Sequence, residues 1–289
     1  MEAVITIPID PVLHLGPIPV HWYGVGYAVA FIVGIRLVDP FFASHGFSEK
    51  ARTDIFWWNI GVGLTCARLF FVVQQPDLGS YLHPPWRIIA VWEGGMAFFG
   101  AFMGCAATCV WLAWRLRLPV WVIFDGGAIF ATLPQAIGRI GNIINGDILG
   151  PASNLPWATR YTNPESFPQM LHRSDTAYQP AAAYELLVSL VLFAIVIWLV
   201  RHRPAGTAAI AYACGYPLSQ LLLFFLRDTE PVIAFGLKQA QLTAIAIIVI
   251  AVPALVLARQ RFGNAFVPGW RSPETGAVAL AAAPPGGGR

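Results

Sequence analysis

The chain of 289 residues is 57% hydrophobic but only 11% charged, with a mean hydropathy of +0.62, 11 Trp and 19 Phe. A soluble domain carries about 25% charged residues, and so few charges cannot coat a water-facing surface of this size, which excludes a soluble globular enzyme and a disordered chain. Eighteen Lys and Arg against 15 Asp and Glu leave a net charge of +3 with no basic run, which excludes a nucleic-acid binder and leaves an integral membrane protein.

The first sixteen residues have neither a basic n-region nor a long apolar h-region, so no cleavable signal peptide is expected and the first span directs insertion. Runs of about 20 apolar residues cross the hydrocarbon core as helices. They predict seven spans, over about 18–38, 54–75, 94–115, 120–138, 181–200, 206–226 and 237–258. The fourth holds Asp125 and Pro134 and is the least regular. Gly100-x-x-x-Gly104 in the third allows close helix approach. Cys66, Cys105, Cys109 and Cys214 all lie in apolar stretches without a C-x-x-C and read as space-filling thiols.

Basic residues at the span ends set the orientation. Arg36, Lys50, Arg52, Arg115, Arg117, Arg201, Arg203, Arg259 and Arg261 gather on one side, against Arg87, Arg160, Arg173 and Lys238 on the other. The richer side is assigned to the cytoplasm, with the N-terminus outside and the C-terminus inside. The fold class is therefore all-α: a polytopic membrane protein with one transmembrane domain over 1–262, an outer-side loop region at about 139–180, and a disordered cytoplasmic tail at 263–289. Pro151, Pro156, Trp157, Tyr161, Pro164 and Pro168 predict that the loop region is ordered. No internal repeat of the kind common in secondary transporters is present.

An ionisable side chain inside a bilayer is costly and marks a functional site or an internal pair. Arg68, Glu93, Asp125 and Arg139 qualify. The richest stretch runs from Gly138-Arg139 through Gly141-Asn142, Asn145-Gly146-Asp147 and Gly150. If the fourth span continues helically through it, Arg139, Asn142 and Asn145 share one face. A guanidinium fork with two amides matches a phosphate diester, and Gly138 and Gly141 leave room for a head group. The competing reading pairs Arg139 with Asp125 or Asp147 to lock helices together. Trp92-Glu93-Gly94-Gly95-Met96 places a carboxylate at the outer end of span three, either as a helix-start acid or as a partner of Arg68 or Arg139. His21-Trp22-Tyr23-Gly24 opens span one, as an interfacial aromatic belt or as part of a shared outer site.

On these residues the chain resembles the bacterial prolipoprotein diacylglyceryl transferase family. The signature 138–150 carries the resemblance, supported by His21-Trp22-Tyr23-Gly24, Trp92 to Met96, Arg68, Tyr184-Glu185 and Gln241. The resemblance implies transfer of the diacylglyceryl group from phosphatidylglycerol to the lipobox cysteine thiol of a prolipoprotein, the first step of lipoprotein maturation, at the bacterial inner membrane. It implies Arg139, Asn142 and Glu93 as catalytic residues. Phosphatidylglycerol contacts fall to Arg139, Asn142, Asn145, Gly150, Tyr23, Arg68 and Arg227. The implied partners are phosphatidylglycerol, the prolipoprotein signal peptide with its lipobox cysteine, and membrane lipids.

The chain departs from the family pattern at several places. Phe99 stands where the family has a histidine, and Gln220 and Phe224 stand where it has an arginine and a glutamate. Gln179-Pro180-Ala181-Ala182 replaces His-Pro-Ser-Gln, and Ala67 a glycine. An active transferase would then draw on His21, Glu93 or Asp147 for the thiol proton. The alternative is a catalytically degenerate paralogue that binds anionic phospholipid without turnover. A small-molecule transporter would want polar residues in both membrane halves, which the sequence lacks. No cofactor and no metal are expected, since His14, His45, His83, His172 and His202 show no ligand spacing.

Overall fold

The computed structural model describes residues 4–16, 18–75, 77–91, 94–171, 176–228 and 231–263. Among them six helices are long and apolar enough to cross a membrane: α1 (Trp22–Ser44), α2 (Glu49–Val73), α4 (Val120–Asn145), α5 (Ala181–His202), a sixth span over Thr207–Leu226 and α7 (Gln239–Arg261). A shorter apolar helix, α3 (Phe98–Leu116), lies between α2 and α4. The sixth span comprises α6 (Thr207–Leu223) and a 3₁₀ turn over Phe224–Leu226. The expected all-helical polytopic membrane architecture is present, with β structure confined to short pairs. The predicted tail falls outside the described residues from 264 onward.

The boundaries differ from the hydropathy reading in one consequential place. The fourth span, expected to stop at 138, runs on as helix to Asn145, so the loop region begins seven residues late. Hydropathy undervalues this stretch because Arg139, Asn142 and Asn145 are polar, yet their three-residue spacing keeps the backbone helical and puts them on one face. α4 is also the most enclosed span, with 61% of its apolar window buried, against 11–28% for the other five. Polar side chains survive there because protein, rather than lipid, surrounds them.

The described residues form two compact units, one from 4–38 with 125–261 and one from 39–124 with 262–263. In the first, α1 packs on α4 through small residues: a methyl group at Gly34 would strike the Phe130 ring at 2.6 Å. α6 starts at Gly206, in a left-handed conformation with φ +85. Asp125 caps it from α4, Oδ2 accepting from Gly206 N at 2.6 Å and Oδ1 from Ala209 N at 2.8 Å. The orphan amides of a helix start are thus satisfied by a carboxylate from another helix. Asp125 is a cap and does not pair with Arg139.

The described part of the segment after α4 is tied down by strand pairing and a small core. Strand β1 (Ile5–Ile7) pairs in parallel with β4 (Thr159–Tyr161), and Tyr178 bridges Thr159. Ile7, Leu149, Tyr161 and Tyr178 form a small core with Ile143 of α4 against it. The Tyr161 hydroxyl donates to the Ile143 carbonyl at 2.7 Å and so ties off the last turn of α4. Burial pushes the phenol up from its ordinary value and keeps it a donor. Between these strands, β2 (Val12–Leu15) and β3 (Ile18–His21) make an antiparallel hairpin leading into α1.

In the second unit α2 begins at Ser48, whose side chain accepts from Ala51 N at 3.2 Å. α3 packs on α2 through the predicted Gly100-x-x-x-Gly104: methyl groups there would lie 2.3 Å from the Cys66 carbonyl oxygen and 2.8 Å from its Cβ. The motif does what its spacing implies, bringing two backbones together.

Candidate functional site

One chain of polar contacts runs through the first unit. Asp147 accepts from the Asn142 amide at 3.1 and 3.2 Å, and Asn142 Oδ1 accepts from Arg139 Nη1 at 3.2 Å. Arg139 Nη2 lies 2.6 Å from Glu185 Oε2. The other Glu185 oxygen accepts from Arg227 Nε at 2.8 Å and lies 2.7 Å from its Nη2. Two guanidinium groups, from α4 and from the turn after α6, thus close on one carboxylate at the start of α5.

Burial gives this cluster its force. Glu185 is 2% exposed, and the Arg139 and Arg227 side chains are 16% and 9% exposed. In so dry a place an ion pair holds only where hydrogen bonds compensate the lost water. They compensate incompletely: Arg139 Nε and Glu185 Oε2 are buried without an aligned hydrogen bond. Among the described residues Arg139 therefore retains a donor that its protein neighbours leave unanswered.

The surroundings hold Arg227 in place. Its guanidinium lies 4.2 Å from the Phe224 ring centroid, a cation–π contact. Phe224 thereby braces the cation. Lys238 donates to the carbonyls of Phe224 and Arg227. Gln241, 1% exposed, donates to Leu221 O at 3.0 Å and accepts from Lys238 N at 3.0 Å. These contacts staple the end of α6 to the start of α7. Gln220 is buried nearby on α6, uncharged.

The glycines of the signature play unlike parts. Space beside Gly138 is open to 4 Å among the described residues. Gly141 is instead a packing site: a methyl there would sit 3.1 Å from the Tyr23 Cα, so α1 crosses α4 at this point. A methyl at Gly150 would lie 2.6 Å from Leu226 O, and Asp228 N donates to Leu149 O at 3.0 Å. Gly150 thus acts by letting the backbone beside Arg227 come close.

Of the residues singled out in the sequence, Arg139, Asn142 and Arg227 are joined in one network. Tyr23 packs against Gly141 and shares a 3.0 Å hydroxyl contact with Tyr27, with its ring partly exposed. Asn145 ends α4. Arg68 belongs to the second unit, where it is 3% exposed and donates to the carbonyls of Ile88, Arg87, Gly94 and Gly95. Its donors go to the backbone of the loop after α2. Glu93 and Trp92 lie outside the described residues, and Phe99 is known only as a residue of α3.

The sequence criterion missed Glu185 as a site residue. It lies five residues into the apolar run 181–200, so the rule that picks out Arg68, Asp125 and Arg139 applies to it equally. Its charge is easily overlooked at the edge of a span of mean hydropathy 2.5.

Known proteins are similar to this chain over most of its length. The prolipoprotein diacylglyceryl transferase family model matches residues 11–257. A Paraburkholderia phymatum protein named phosphatidylglycerol–prolipoprotein diacylglyceryl transferase is 30% identical, over 88% of this chain and 95% of its own. Proteins of the same name from Pseudomonas entomophila and Synechococcus elongatus are 32% and 30% identical, covering 88% and 87% of this chain and 95% and 88% of theirs.

Proposed function

The chain belongs to the prolipoprotein diacylglyceryl transferase family, and from that membership and the buried cluster we propose that it transfers the diacylglyceryl group of phosphatidylglycerol to the lipobox cysteine of a prolipoprotein. The observation that carries this reading is the pair of buried guanidinia, Arg139 and Arg227, with an unanswered donor on Arg139.

The reaction needs a thiolate as nucleophile and a cationic, water-poor place for the departing phosphate. Arg139 contacts the phosphate, with Asn142 holding the guanidinium in orientation and Asn145 lending an amide at the helix end. Arg227 supplies the second positive charge, which Gln220 does not. Open space at Gly138 admits the head group, and Tyr23 borders it. Gly150 serves by backbone approach and is a positioning residue here. The site faces the outer side, with the N-terminus outside and the C-terminus in the cytoplasm, on the nine-to-four distribution of basic residues.

The test is complementation of a transferase-depleted strain, paired with an in vitro assay on phosphatidylglycerol and a lipobox peptide. Wild type is expected to rescue growth and lipidate the peptide, and Arg139→Ala to do neither. A wild type that folds and binds phosphatidylglycerol yet lipidates nothing overturns the reading in favour of a binding-only paralogue.

A further inference from the structure

The second unit carries an apolar groove. Ala106, Ala107, Val110, Trp111 and Trp114 of α3 line it with Phe124, around a cavity of about 580 Å³, a volume that suits one small ligand. The five α3 residues recur at steps of three and four and so share one helix face. Trp111 and Trp114 are 39% and 66% exposed. Trp58 of α2 meets the Trp111 ring edge-on with 5.1 Å between centroids, so the neighbouring helix braces that side of the groove. Every lining side chain is apolar or aromatic, and what seats there is hydrocarbon.

The end of the groove has a different chemistry. Arg115 lies one helical turn beyond Trp111, and Arg117 caps α3 in a left-handed conformation with φ +53. Both are exposed. The α2–α3 contact at Trp58 and Trp111 brings the start of α2 to this same end. There Lys50 is held by Asp54 and Arg52 by Asp39, each at 2.7 Å. Among the described residues Arg115 and Arg117 have no carboxylate partner, and the indole N–H groups of Trp111 and Trp114 have no acceptor.

We propose that this groove binds an anionic phospholipid, with an acyl chain along Ala106, Ala107 and Val110 and the phosphate on Arg115 and Arg117. A guanidinium fork matches a phosphate, and an indole, apolar in its body with one N–H donor, suits the depth where acyl chain meets head group. A zwitterionic lipid would fill the same groove, but its own cation offsets the phosphate, so two unpaired arginines favour a net negative head group. A second copy of this chain fits less well: a stable interface takes about 20–30 residues a side, and six line the groove. This site is separate from the proposed transfer site, since Phe124 lies about four helical turns before Arg139 on α4.

The experiment uses the full chain in phosphatidylcholine nanodiscs that carry a minor share of lipid brominated on its acyl chains, either phosphatidylglycerol or phosphatidylcholine. Bromine quenches tryptophan fluorescence at contact. Half of the quenching is expected at an about fivefold lower share of brominated phosphatidylglycerol, the scale for one basic residue at a membrane surface, and the gap should narrow as salt is raised. Trp111→Phe with Trp114→Phe should remove this preference, which assigns it to two of the 11 Trp. Arg115→Gln with Arg117→Gln should remove it too, whereas Arg139→Ala should keep it. All four groove substitutions replace exposed side chains, so the fold is expected to survive them. Equal quenching by the two lipids in wild type overturns the proposal in favour of unselective lipid contact. A preference that survives the paired arginine substitutions also overturns it. One lost with Arg139→Ala belongs to the transfer site and overturns it as well. So does pairing of two copies in one nanodisc that is lost with the tryptophan substitutions, which would make the groove a self-association face.

Discussion

A methyl group on Gly150 would lie 2.6 Å from the carbonyl oxygen of Leu226, closer than any carbon rests against an oxygen. The loop after α4 and the turn that presents Arg227 touch backbone to backbone, with Asp228 N donating to Leu149 O at 3.0 Å. Gly150→Ala should therefore push the 226–228 segment away and move Arg227 off Glu185. The expected cost is about 1–3 kcal/mol of stability, typical of overpacking, with a loss of transfer larger than stability alone explains. Thermal unfolding in detergent, read beside a transfer assay normalised to folded protein, separates the two.

Arg139→Ala leaves Glu185 still paired with Arg227, so the helices should remain assembled while transfer falls by about 100-fold or more, the scale for removing one donor to a developing oxyanion. Arg139→Lys should also fail to restore full activity. A single ammonium cannot serve Asn142, Glu185 and a lipid oxygen together as a planar fork does. A lysine variant with wild-type kcat/KM would contradict this account.

Asp125 illustrates the opposite case, a buried charge whose work is structural. Asp125→Ala removes the acceptor for Gly206 N and Ala209 N at the start of α6. A loss of about 1–2 kcal/mol is expected, as for other helix caps, with transfer per folded molecule unchanged. Unfolding curves and the assay on the surviving fraction measure both.

Removing the Arg68 guanidinium should act on the loop after α2. It holds carbonyls on both sides of the turn, at residues 87–88 and 94–95. Arg68→Ala should expose the backbone at 87–88 and 94–95 to limited proteolysis at protease levels that leave wild type intact, and Arg68→Lys should protect only partly. Equal resistance of all three proteins would show that the carbonyl contacts do not order the loop.

The positions of the helices were legible because apolar runs of bilayer length report burial directly, residue by residue. The polar stripe of Arg139, Asn142 and Asn145 was legible for a similar reason, since its spacing is a property of one helix. Gly138 and Gly141 look alike in the sequence, one on each side of Arg139. A glycine's sequence cannot tell whether its missing side chain makes room for a ligand or for another helix, and Gly141 makes room for α1. Phe224 likewise looked like a lost charge, where the structure shows a ring under Arg227.

Composition and periodicity alone thus determined that this chain lives in a membrane, which segments cross it, and which face of α4 is polar. Which carboxylate answers Arg139 was decided only by tertiary structure. Asp125 and Asp147 are the nearer candidates along the chain, but one caps α6 and the other takes the Asn142 amide. Glu185, on another helix, closes the pair and shares itself with Arg227, 42 residues further on. Local sequence sets which groups a helix presents, whereas the energy of a buried charge depends on what packing brings against it once water is gone.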